Sequence, residues 1–271
     1  MVQQDELDSA LVGTRFRAKL QHFASVGSTN TLLLEAAAEG APEGTVFLAD
    51  EQTAGRGRGG HAWHSAAGSA QQPDGLYVSV LARPSLRLRD ALWLSLAAGL
   101  AAQTAIAAAS GVHIDIRWPN DLMLESRKLG GILVETSAGS GAAAPLRYAV
   151  IGIGINLNQQ SFPAELVSLA TSLRIATGHA QRRAPLLIAL LRALDHELTL
   201  LEDPAALRSM PLLERFRAAS TWVQGRRVQV PEQGGYTGTT AGLDSRGFLR
   251  VDADDGTERT VLSGGVRDEL G

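Results

Sequence analysis

Three short segments of this 271-residue chain hold the residue types that could do chemistry. The first runs over residues 50–65, with Gly55, Arg56, Gly57, Arg58, Gly59 and Gly60 at its centre. Glycines let a backbone come close to a ligand and take positive φ. Two arginines two positions apart in such a loop can grip phosphate or carboxylate oxygens with their planar forks. A flexible surface loop has the same composition. The segment lacks the lysine ending of a Walker A loop and the helix-start placement of a dinucleotide fingerprint. His61 and His64 flank Trp63 with no evident third metal ligand.

The second segment joins Arg117-Trp118-Pro119-Asn120-Asp121 to the run from Arg127 and Lys128 through Gly130 and Gly131 to Glu135. A strand stopped by Pro119 would present Asn120 and Asp121 at its tip. Lys128, beside two glycines and entering an apolar run, is placed to face a pocket, although an ordinary hairpin with exposed turn charges reads the same way. The third segment is Ile151 to Asn158. Gly152 and Gly154 share one strand face because the side-chain period is two. That face could floor a flat ligand or pack closely on a helix. Asn156 emerges at the strand end with donor and acceptor capacity.

These segments need elements to position them. Ser28-Thr29-Asn30 before Leu32, Leu33 and Leu34, with Gly40 beyond, predicts a capped helix with a glycine stop. Strands are predicted over residues 45–49, 76–81, 114–118, 132–135 and 148–155, with a hairpin tip over 137–145. Helices are predicted over 90–110, 163–177, 185–201 and 204–219. Short alternating runs over 226–263, broken by glycine pairs and Asp-Gly turns, predict a small antiparallel sheet or barrel. The order of elements predicts an α+β domain with helices on one face of a sheet, over residues 1–220, and a β domain over 221–271. The linker over residues 66–74 reads as long and loose.

Composition sets outer bounds. Lys+Arg is 25 and Asp+Glu is 28, a formal charge of −3. That balance argues against a DNA-coating protein, which needs clustered positive charge. No cysteine is present, which excludes disulfides and thiolate catalysis. No uninterrupted apolar run is long enough to span a membrane, and residues 1–9 are polar and acidic rather than signal-like. The expectation is a cytoplasmic protein with no nucleic-acid or membrane partner.

Taken together and in this order, the segments STN, EQTAGRGRGGHAWHS, RWPNDLMLESRKLGGILVET and VIGIGINLN resemble the biotin–protein ligases, most closely the short bacterial type without a DNA-binding head. The resemblance is specific over roughly residues 20–160. It is looser over Gly242-Leu243-Asp244 and Gly247-Phe248-Leu249. It implies an α+β fold: a mixed β-sheet with flanking helices, of the class II synthetase-like kind, then a small SH3-like β-barrel. It implies ATP and biotin as substrates with Mg²⁺, and a biotinyl-5′-AMP intermediate. The partner implied is the biotin carrier domain of acetyl-CoA carboxylase or another biotin-dependent carboxylase, with the ligase a monomer or homodimer.

By the same resemblance Lys128, Arg58 and Arg56 would be catalytic. Ser28, Thr29, Asn30, Gln52, Gly55, Gly57, Gly131, Gly152 and Gly154 would join them around biotin. Trp63, Asn120, Asp121 and Asn156 would serve ATP, with Asp121 reaching magnesium. His61 stands where the family often has an arginine, and Arg117 where lysine is common. Two other readings compete: a lipoate or octanoate ligase or transferase, and a non-catalytic biotin sensor. The arginine loop and the RWPND block favour biotin over lipoate. Retention of Lys128, Arg56 and Arg58 argues against a degenerate sensor.

Overall fold

The computed structural model describes residues 4–65, 68, 73–232, 234–263 and 265–269, so most of the expected loose linker over 66–74 lies outside the described residues. The chain enters through α1 (Gln4–Ala10) and β1 (Leu20–Val26), then turns at Ser28 into α2 (Thr29–Ala38). Ser28 is extended and its hydroxyl accepts from the Thr31 N–H, so the helix starts where an N-cap serine can satisfy a free donor. Next come β2 (Val46–Gln52), β3 (Gly75–Ala82) and α3 (Leu92–Ser110). The Ala/Leu-rich α3 stops at Gly111, whose φ of 72° is one that glycine takes without strain. By length and composition α3 could cross a bilayer, yet its Leu94, Leu96, Leu100 and Ile106 are buried in the core.

Four strands follow: β4 (Asp115–Arg117), β5 (Asp121–Leu124), β6 (Arg127–Ala138) and β7 (Leu146–Asn156). The seven strands form one sheet in the order β1-β2-β3-β7-β6-β5-β4. β1 and β2 pair in parallel and the remaining neighbours are antiparallel. Strand alternation sorts side chains between two layers. Val46, Leu48, Leu76, Val78, Val80, Ile151, Ile153 and Ile155 join the main core, which also holds the buried leucines of α3. Phe47, Leu81 and Val150 instead pack with Leu33 and Ala37 of α2. Helices therefore cover both faces, and α2 departs from the one-faced arrangement expected. Its placement puts the helix N-terminus over Gly152.

The remaining helices are α4 (Leu173–Thr177), α5 (Arg183–Glu202), α6 (Pro204–Ser209) and α7 (Leu212–Ala219). Two expectations fail here. Residues 163–171 are not helical, because their backbone is used elsewhere: Lys128 N donates to Leu169 O at 2.7 Å and Thr171 N to Lys128 O at 3.0 Å. The helix expected over 204–219 is split at Pro211, which becomes the N-cap of α7. The strand β5 was not expected at all.

A second, fully antiparallel sheet closes the chain: β8 (Gln224–Val230), β9 (Tyr236–Leu243), β10 (Leu249–Ala253), β11 (Glu258–Val261) and β12 (Arg267–Asp268), in the order β11-β10-β9-β8-β12. Val228, Leu249 and Val251 belong to the same core as α3. The Trp118 indole donates to Gly247 O at 2.9 Å, which ties the proline turn of the first sheet to a turn of the second.

Candidate active site

One row of paired residues crosses the sheet on its α2 face. Tyr77 pairs with Gly154, Gly154 with Gly131, Gly131 with Asp121 and Asp121 with Arg117. Every member lines a cavity of about 800 Å³. The next row, Ser79 to Gly152 to Leu133, carries the second glycine. The two glycines thus share a face, as the period-two reading expected, and each is covered by a side chain of this protein. A Cβ at Gly152 would come 2.1 Å from Asn30 Oδ1, and one at Gly154 would come 2.7 Å from the Trp63 ring. Gly152→Ala is therefore expected to push out Asn30 and cost about 1–3 kcal/mol of stability. A denaturant melt checks it, and an unchanged midpoint would show that Asn30 yields freely.

Asp121 sits half-buried between two cations. Its Oδ1 is 2.5 Å from Lys128 Nζ and its Oδ2 is 2.7 Å from Arg117 Nη2. Burial alone would raise its carboxyl, but Lys128 and Arg117 outweigh that and hold it below the usual carboxylate range. Lys128 Nζ also lies 5.6 Å from the Trp63 ring centroid. Both Asp121 oxygens are engaged, so a magnesium ion at this carboxylate would have to share it with Lys128 and Arg117. Among the described residues, no cluster of three or more His, Cys, Asp or Glu could hold a metal.

A depressed carboxyl contributes stability above its unfolded pKa and loses it as pH falls through the lower folded value. Asp121→Asn should therefore melt lower at neutral pH, by about 1–2 kcal/mol, because two partly exposed cations lose their shared anion. The variant's stability should also fall less steeply than wild type as pH drops below the ordinary carboxylate range. Thermal melts across pH check both points, and parallel curves would refute the linkage.

The α2 N-terminus supplies a polar chain. Gln52 Oε1 accepts from both the Thr29 N–H and hydroxyl, at 2.9 and 3.0 Å, and its amide donates to Ser65 Oγ at 3.0 Å. The Ser79 hydroxyl lies 2.6 Å from Asn30 Oδ1 and 2.8 Å from Thr29 Oγ1, and donates to one at a time. Asn30 Nδ2 donates to Glu135 Oε2 at 3.0 Å, and Arg56 Nη2 reaches the same oxygen at 2.6 Å. Arg58 differs: among the described residues no hydrogen bond or ion pair reaches its guanidinium, and its one bond is its carbonyl accepting from His61 N at 3.4 Å. Burial pulls its guanidinium below the usual arginine value, partly offset by Asp121 and Glu232.

The structure brings together Ser28, Thr29, Asn30, Gln52, Arg56, Gly57, Arg58, Trp63, Asn120, Asp121, Lys128, Gly131, Gly152 and Gly154 around this cavity. Gly55 and Asn156, expected in the site, do not line it. Gly55 sits where a Cβ would meet Trp63 O at 2.5 Å. Asn156 is only 5% exposed, and its amide donates to Thr171 O at 3.0 Å while accepting from Gln159 at 3.3 Å. It braces the 157–173 segment. Trp63 lies on the glycine floor beside Lys128.

Sequence reasoning missed Tyr77, and the cavity wall formed by Pro231, Ser263 and Val266 beside the strands of the second sheet and by Arg267 of β12. The tyrosine and Ser79 had a signal: both are polar and fall on one face of an otherwise apolar strand, the face that turns toward α2.

Comparison with known proteins agrees with this geometry. Residues 22–156 match the model of the biotin/lipoate A/B protein ligase family, and residues 224–266 match that of the biotin protein ligase C-terminal domain. The chain is 34% identical to the biotin–[acetyl-CoA-carboxylase] ligase of Mycobacterium tuberculosis, over 97% of this chain and 92% of that protein. It is also 34% identical to the bifunctional ligase/repressor BirA of Bacillus spizizenii, over 86% of this chain and 69% of that protein. A structure of the Aquifex aeolicus biotin protein ligase in complex with biotin and ATP superposes with a TM-score of 0.74 at 28% identity, covering 92% of this chain and 97% of that one. With a mixed seven-stranded sheet, a five-stranded antiparallel sheet after it and both family models matched in order, the chain belongs to the biotin protein ligase family.

Proposed function

We propose that this ligase joins biotin to ATP as biotinyl-5′-AMP and then transfers biotin to a lysine of the biotin carrier domain of acetyl-CoA carboxylase or another biotin-dependent carboxylase, in the cytoplasm. The observation that carries the reading is the charge layout of one cavity. Lys128 and Arg117 flank Asp121 at one end of a glycine row, while Arg56 and Arg58 stand on the loop above it.

In the first step a carboxylate oxygen of biotin attacks the α-phosphorus of ATP. An O–P bond forms, the bond to the β-phosphate oxygen breaks, and pyrophosphate leaves. Two anions must meet, so preorganised cations in a partly dry cavity lower the barrier. Lys128 is assigned to bridge the carboxylate and the α-phosphate. Arg56 and Arg58 are assigned to the phosphate and the anhydride. In the second step the carrier lysine amine attacks the biotinyl carbonyl carbon, AMP departs with the C–O electron pair, and the amine proton passes to solvent.

Ser28, Thr29 and Gln52 suit a ureido ring, which offers two N–H donors and a carbonyl acceptor. Gly131, Gly152 and Gly154 let Trp63 and Asn30 lie close against the sheet, so a bicyclic ring would rest against those side chains. No step is routed through a protein-held metal, since Asp121 is engaged with Lys128 and Arg117.

The test is purified protein with ATP, Mg²⁺, biotin and an apo-carrier domain. A mass gain on the carrier of one biotinyl group supports the reading, and no gain by wild type overturns it. Lipoate included as a competitor separates the related acyl ligases, because it should neither displace biotin nor add to the carrier.

A further inference from the structure

We propose that Glu135 is the catch that holds the glycine-rich loop shut over the cavity, acting as a positioning residue through Arg56. What the loop retains rests on the biotin-ligase reading. Whether the loop closes does not.

The loop has its own internal order. Gly57 N donates to His61 O at 2.7 Å, Trp63 N donates to Gly55 O at 2.8 Å, and Arg56 bridges Ala62. Those bonds fix the shape of the hairpin, whose ends are tied down by Thr53 N to Val26 O at 2.9 Å, Ala54 N to Gly27 O at 2.8 Å and Gln52 N to Ser65 O at 3.2 Å, with Trp63 against Gly154, but none of these contacts reaches the sheet from its arginine tip. Its one charged tie to the sheet, among the described residues, is Arg56 Nη2 to Glu135 Oε2 at 2.6 Å.

Glu135 is well placed to be the fixed half of that tie. It lies within β6, paired with Val150 of β7. Its Oε2 also accepts from Asn30, which is backed against Gly152 and bonded to Ser79. The Glu135 side chain is 26% exposed and that of Arg56 is 44%. Freely exposed ion pairs do little. A short charge-assisted bond from a held carboxylate does more. The pair is therefore sized to bias the loop by about an order of magnitude, leaving it able to open for substrates. Arg56 has further N–H donors beyond the one on Glu135, so gripping an anion does not require breaking the catch.

Glu135→Gln isolates the effect, since its amide oxygen can still accept from Asn30 while the charge that faces Arg56 is gone. Arg56→Gln breaks the same pair from the loop side and leaves Asn30 untouched. Trypsin reads loop opening directly at the Arg58–Gly59 bond. Both variants, with no ligand present, are expected to be cut there roughly tenfold faster than wild type, followed by fragment mass. In a biotin and ATP mixture, Glu135→Gln is expected to release more biotinyl-5′-AMP into solution than wild type. A melting midpoint close to wild type shows that the faster cutting is local. Cutting at the wild-type rate in both variants overturns the catch. Wild type that makes no biotinyl-5′-AMP overturns the ligase reading, and the trypsin result still decides the catch.

Discussion

Replacing Lys128 with alanine is expected to slow biotinyl-5′-AMP formation by roughly 10²–10³-fold, on the order of 3–4 kcal/mol of lost transition-state stabilisation. The size follows from how firmly the ammonium is held before any substrate arrives. Asp121 sits 2.5 Å away, and the Lys128 backbone is clamped on both sides by Leu169 and Thr171. A donor fixed in this way needs no reorganisation when charge develops on the α-phosphate, and that is where preorganised groups give most. The loss should fall mainly on kcat for adenylation, with biotin KM changing less, because the polar chain from Thr29 to Gln52 is untouched.

Lys128→Arg sharpens the test. It keeps the charge but replaces a compact ammonium with a planar fork. An intermediate rate is expected, together with a weaker hold by Asp121. Biotin-dependent exchange between ATP and labelled pyrophosphate measures the step alone. A loss below about fivefold for Lys128→Ala would remove the lysine from this role.

The same lysine shows how far the sequence could be read. The glycines after it and the apolar run beyond predicted a strand entering a pocket, and β6 does that. The β5 strand escaped notice because Asp121–Leu124 is four residues long and pairs only once β6 is in place. Local pattern carries no trace of such a partner. The failed helix over 163–171 has the same origin: its turn-forming residues surrender their backbone groups to Lys128, some forty positions earlier. Capping was more legible, since Ser28 and Gly111 act within their own turns.

Site residues divide in the same way. Arg58 and Lys128 announce themselves by type and setting. The link from Asn30 to Glu135 spans 105 positions and that from Arg56 to Glu135 spans 79, so only the folded sheet reveals them. Asn156 went the other way. Its strand-end position suggested ligand contact, yet the segment that folds back over β7 absorbs its amide.

Replacing Arg58 with glycine is expected to let the activated intermediate escape, raising its release by roughly 10–100-fold, the equivalent of one charge-assisted hydrogen bond. Arg58 lines the cavity, is unpaired among the described residues, and has its charge disfavoured by burial. A cation in that condition gains more from an anionic ligand than one already neutralised, as Arg117 is by Asp121. Biotinyl-5′-AMP supplies that anion at its phosphate. Binding should therefore pull the loop down onto the ligand, and removing the guanidinium should loosen both.

Glycine at 58 also frees the backbone of a turn in which Gly59 and Gly60 already take positive φ. Arg58→Ala separates the two effects, since it removes the charge with less added freedom. If the anion grip dominates, the two variants leak alike. Escaped biotinyl-5′-AMP acylates lysines indiscriminately, so labelling of a bystander protein should rise in step with intermediate found in solution. Retention equal to wild type in both variants would assign the hold to Trp63 and the glycine floor, and would leave Arg58 with no part in keeping the intermediate.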